Sequence, residues 1–207
     1  EAFYDQFNAF YAEFVAKSNA SYSQFEQMAR AAYDGFTAAI DEYIEALETK
    51  GNADLTAITE DTSGDGWSWT QSTKTLTLTG LTLTVSDDST HALILPDGAT
   101  IDLADGTTST LTGGSRSTVY SSGEVKLRGS GSLTVNANGK NGIKSGATTD
   151  EEGEAWLVIR DLTLTISAPV NDAINAEASL TILSGDLTMD AGDDAVHSDY
   201  YLTVGAA

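Results

Sequence analysis

The sequence predicts an all-β fold, a parallel β-helix in which short strands wind into a solenoid, with an α-helical segment ahead of it. Three observations predict this. Composition changes abruptly near residue 51, the chain beyond it is built from short Leu-Thr alternations, and one pattern of polar, small and branched residues returns every two to three dozen positions. The implied organisation is a helical segment over 1–50, a linker over 51–66 and a β-helix over 67–207.

In the first segment Phe3, Phe7, Phe10 and Phe14 recur at spacings of four, three and four, and Phe25, Ala29, Ala32, Phe36, Ile40, Tyr43 and Leu47 continue the rhythm. Apolar residues at that period form one face of a helix. The polar run "KSNASYS" divides the pattern, so two amphipathic helices are expected, with Gly51 as the C-terminal cap. A helical hairpin or a segment packed on the next domain is one reading, and a free coiled-coil or partner-binding arm is the other. Residues 51–66, "GNADLTAITEDTSGDG", hold no sustained period and read as the linker.

From residue 67 onward, "KTLTLTGLTLTV", "GSLTV", "DLTLTI", "SLTIL", "GDLTM" and "YLTV" alternate with period two and are punctuated by Gly, Asn and Asp. Such segments are strands separated by tight turns. The stretch "WSWTQSTKTLTLTG" has the form of an antiparallel hairpin that closes the N-terminal end of the coil, with Trp67 and Trp69 covering the core there.

The choice between a solenoid and an antiparallel sandwich rests on recurrence. "NGIKSG", "NDAINAE" and "GDDAVHSD" share one pattern, and their small residues Gly142, Ala173 and Ala195 form a column that Thr118 and Ala92 extend upstream. Leu157, Leu180 and Leu202 keep the same phase, as do Leu164 and Leu187. The longer step from Gly142 to Ala173 accommodates an acidic insertion, "GATTDEEGEA". A repeat near 22 residues with three short strands is one coil of a parallel β-helix, and equivalent residues then stack at about 4.8 Å. Ile143, Ile174 and Val196 point inward. Lys144, Asn175 and His197 form one outward stripe.

The balance of 31 acidic against 10 basic residues gives a formal charge of -21. Such a surface repels nucleic acid and anionic membranes, so neither is an expected partner, and a polyanion would need a bridging metal. The chain has no cysteine, which excludes disulfides, thiolate metal sites and a Cys nucleophile. It contains no long apolar run or signal sequence, consistent with a soluble chain or a mature form.

Stacking gives the turn residues chemical meaning. Asn141, Asn171 with Asp172, and Asp193 with Asp194 precede the stripe strands, and Asp172 and Asp194 fall on neighbouring coils. Carboxylates so close repel unless a proton or a cation intervenes, and calcium, which takes about six to eight oxygen ligands, suits them. Asp190 could supply another oxygen, and Glu177 and Asp199 make a second acidic column. Asn and Asp also favour such turns without any ion. The stripe Lys144, Asn175 and His197, flanked by Gly142, Ala173 and Ala195, suggests a flat groove for an extended polysaccharide, with Trp156 as an aromatic that could stack on a sugar; ordinary solvated side chains give the same pattern. Arg128 and Arg160 stack on another face.

Together "GWSWTQSTKTLTLTGLTL", "NGKNGIKS" and "GDDAVHSDYYLTV" resemble bacterial secreted carbohydrate-binding domains that fold as right-handed parallel β-helices, relatives in shape of the pectate lyases. The resemblance covers roughly residues 64–207. It implies an extracellular or cell-surface location, calcium between the coils, and non-catalytic binding of a plant-type or acidic polysaccharide. A polysaccharide lyase is the enzymatic alternative, with Lys144 as the base beside a calcium ion. A structural role is the other: an exposed coil edge after "YLTVGAA" would pair head to tail with another copy, as in an adhesin or filament, or the sequence would run on.

Overall fold

The computed structural model of the protein describes residues 2–50, 52–85, 90–147 and 156–205, with helix side chains described for residues 4–37. Two compact units result, Glu1–Glu45 and Ala46–Ala207. The expected cap at Gly51 and most of the "GATTDEEGEA" insertion lie outside the described residues.

The N-terminal segment is one helix, Ala2–Lys50, and not the two helices expected. The reason is local. "KSNASYS" contains neither Gly nor Pro, and its polar residues each cost only a few tenths of a kcal/mol in a helix. Phe14 and Phe25 are eleven residues apart, close to three full turns, so the apolar stripe stays in phase across the polar run. No described helix is long and apolar enough to cross a membrane.

The second unit is a parallel β-solenoid of about five coils. Its strands fall into three sheets of six, eight and five strands, and the register follows the repeat. In the first sheet Leu93, Val119, Ile143, Ile174 and Val196 lie side by side on parallel strands. In the second, Leu157, Leu180 and Leu202 pair as expected, and in the third Leu164 pairs with Leu187. Every coil-to-coil pairing among the described residues is parallel, which removes the antiparallel sandwich.

Alternation explains the core. Leu93, Val119, Ile143 and Ile174 enter from the first sheet, Leu76, Ile101, Leu127 and Ile159 from the second, and Leu111, Val135 and Ile166 from the third, all buried. Thr residues between them face outward. At Gly129 the chain leaves the second sheet with φ of +110°, and a Cβ there would collide with the Leu103 backbone on the coil before, so only glycine fits.

Residues 52–66, within the segment expected to be linker, are structured. Ala53–Asp54 pairs in parallel with Leu93–Ile94 and so starts the first sheet. Leu55 is buried, and Thr62–Gly64 pairs with Trp67–Trp69. Strands of two or three residues are too short to show a period, which hides them from pattern reading. The expected hairpin is present: Trp67–Thr70 and Thr75–Leu78 are antiparallel, and the latter joins the parallel ladder through Ile101. Trp69 is buried there, with its Nε1 donating to Gln71 Oε1 at 2.7 Å, and Trp67 is half-buried.

Candidate functional site

The outward column of the first sheet contains Lys144, Asn175 and His197 in direct register. Upstream it continues through Tyr120 and Ile94 to Asp54. Tyr120 and its neighbour His91 were not singled out from the sequence. The signal was available, because Tyr120 stands two residues after Thr118 just as Lys144 stands two after Gly142. The two rings stack, with centroids 4.7 Å apart and planes 16° from parallel.

The stripe's charges are already engaged. Lys144 Nζ donates to Asn175 Oδ1 at 3.3 Å and forms an ion pair with Glu177. Asn175 Nδ2 donates to Asp172 Oδ2 at 2.8 Å. His197 sits between carboxylates, with Nε2 2.8 Å from Asp199 and Nδ1 3.5 Å from Asp194.

Asp172, Asp193 and Asp194 form one cluster, their nearest oxygens within 4.8 Å of one another. Asp172 is buried and the other two are exposed. Asp172 Oδ1 also accepts from the Asp194 backbone N–H at 3.3 Å, a contact made across the coils because Ala173 and Ala195 are stacked. Asn141 is buried in the same column, and its Oδ1 accepts from Asn171 Nδ2. The donor set is oxygen only, the kind that suits calcium over softer-ligand metals. Asp190 does not join the cluster; it is exposed and pairs with Ser167 in the third sheet. Glu177 and Asp199 occupy successive coils as a second column, but each is committed to a cation, Lys144 and His197 respectively.

Two sequence readings change here. Gly142 and Ala173 do not open a groove, because both are buried: a Cβ at Gly142 would meet Ile166 and the Ala173 carbonyl, so smallness at this position serves internal packing. Trp156 begins a strand of the second sheet beside Ser179, about a third exposed and away from the stripe's sheet. Arg128 is balanced by Asp102, at 2.8 to 2.9 Å.

The two histidines are pushed in opposite directions. The hydrogen bond to Asp199, helped by the one to Asp194, raises His197 above the ordinary 6.5. Burial lowers His91, against the opposing pull of the Ser117 carbonyl 2.7 Å from its Nδ1. His197 therefore contributes stability that is present below pH 6.5 and is lost as pH rises through its raised value; His91 contributes stability present above 6.5 and lost as pH falls through its lowered one. With only two histidines in the chain, a proton NMR titration is expected to show two midpoints on opposite sides of 6.5. Coincident midpoints would contradict this geometry.

No curated protein and no solved structure matches the chain. A family profile does match, over residues 32–203, which takes in the end of the helix and nearly all of the solenoid. By that match, the chain belongs to the family described as carbohydrate-binding domain-containing protein.

Proposed function

We propose that the chain binds a polysaccharide laid along the coils over the first sheet, with calcium at the Asp172, Asp193 and Asp194 cluster, outside the cell or at its surface. Family membership supports a carbohydrate-binding role with polysaccharide as the partner. The observation that carries the reading is the in-register column Tyr120, Lys144, Asn175 and His197. It repeats hydrogen-bonding groups at the rise of one coil, about 4.8 Å, a spacing that suits a polymer of sugar rings.

The charge pattern supports calcium dependence for acidic glycans. Lys144 is neutralised by Glu177, and the surrounding carboxylates repel a uronate, so such a ligand needs a cation between itself and the protein. Calcium would be held by Asp172, Asp193 and Asp194, with Asn141 and Asn171 beside them, and would supply charge neutralisation. A plant-type neutral glycan needs no such bridge. Binding without cleavage is the better fit to Lys144, since its Nζ already serves two partners and a lyase base would have to surrender both.

A glycan array probed with the full chain, first in calcium and then in chelator, tests the reading. Selective binding of plant-type glycans is expected, with acidic ones lost on chelation. By calorimetry, Asp194→Ala should weaken calcium binding at least tenfold, about 1.4 kcal/mol. An array silent in both conditions would overturn the glycan reading, and unchanged calcium affinity in Asp194→Ala would overturn the assignment of the ion.

A further inference from the structure

We infer that the N-terminal helix is an assembly device: it associates with further copies of itself, in a bundle of three or more, and so presents several solenoids together. The helix Ala2–Lys50 runs for 49 residues, about 74 Å at 1.5 Å per residue. Phe7, Phe10, Phe14, Phe25, Tyr33 and Phe36 are between 43% and 70% exposed on it. At about 100° per residue these six rings fall within a stripe about 140° wide. A two-stranded coiled coil needs only a narrower seam, whereas a stripe this broad matches the face that a helix turns toward the centre of a bundle.

Asp5, Glu13, Lys17, Glu26, Arg30 and Asp34 all fall outside the stripe, and Glu13 with Lys17 and Glu26 with Arg30 form pairs one turn apart. An uncharged stripe flanked by charge lets identical helices meet without placing carboxylates against each other. The six rings would remove on the order of 500–1,000 Å² from water per helix, comparable with the roughly 800 Å² per partner of a specific interface. A solitary helix owes most of its stability in a protein to packing of its apolar face, so this length argues for an occupant of that face.

The stripe itself identifies the occupant. Ser18, Ser21, Ala29 and Ala32 fall within the same arc as the rings, and all four are exposed. They lie toward the middle of the arc, two between Phe14 and Phe25 and two between Phe25 and Phe36, and so leave two shallow recesses with Tyr22, Met28 and Tyr33 along their margins. Facing helices pack closely when large side chains on one meet small ones on the next. Here a single face carries both halves of that fit, rings and recesses, so a second copy is complementary to it. Joining several modules that bind a repetitive polymer raises the apparent affinity without any new contact to the ligand.

Sedimentation equilibrium of the full chain tests this, alongside a Phe7→Glu, Phe14→Glu, Phe25→Glu variant. The unaltered chain is expected at three or more times 21.7 kDa, more so as salt screens the mutual repulsion of acidic chains. The variant should fall to a single chain and lose helical circular dichroism while its tryptophan near-ultraviolet signal, which reports the solenoid, is unchanged. Ser18→Phe with Ala29→Phe fills a position in each recess while keeping the face uncharged, and should alter the stoichiometry. A chain that stays monomeric across micromolar concentrations, a charged variant that keeps the larger mass, or recess filling that leaves the stoichiometry unchanged overturns the proposal.

Discussion

Leu164→Ala is expected to lower the unfolding free energy by about 2–5 kcal/mol, while Thr165→Ala, its neighbour in sequence, changes it by less than about 0.5 kcal/mol. Leu164 is buried and paired on both sides, with Leu133 and Leu187. Its truncation opens a hole in a core only one coil wide, flanked by ladders whose hydrogen bonds resist collapse. Thr165 points the other way and is exposed. Urea denaturation followed by tryptophan fluorescence measures both. Similar costs for the two substitutions would mean that the alternation, and with it the inward and outward assignment of every strand, is wrong.

Lys144→Met carries the second large effect, a loss of about 3 kcal/mol or more. The side chains of Lys144 and Glu177 are only 18% and 10% exposed, so removing the cation leaves a carboxylate shut away from water with no counter-charge. The direct attraction is not the main term. Most of the cost is the stranded partner, and the double variant Lys144→Met, Glu177→Met is therefore expected to regain most of the stability lost by the single one. Denaturation of the two singles and the double closes this cycle. Additive losses would mean that the two side chains do not interact, and the stripe's cation would then be free for a ligand.

Much of the fold is legible in the residues because a solenoid writes its tertiary contacts into the sequence as a repeat. Ala92, Thr118, Gly142, Ala173 and Ala195 align in the repeat, and successive members are bridged by backbone hydrogen bonds, as from Leu93 N–H to the Thr118 carbonyl and from Val119 N–H to the Gly142 carbonyl. The aligned column even locates the Asp172 and Asp194 pair. What escaped was whatever lacked a repeat or a period: the two-residue strand Ala53–Asp54, the continuity of the helix through "KSNASYS", and the partnership of Tyr120 with His91.

By itself, the sequence determined the coil, its inward residues and the stacking of its acidic turns, because the position of a residue within a repeat dictates its neighbours on the adjacent coil. Only the tertiary structure decided which groups are spoken for. That Lys144 is tied to Glu177, that His197 lies between Asp194 and Asp199, and that Gly142 is small for the sake of Ile166 all depend on side-chain reach and burial. Those are set by packing between coils and between sheets, where distances of a few ångströms separate a ligand group from one already engaged, and no spacing along the chain records them.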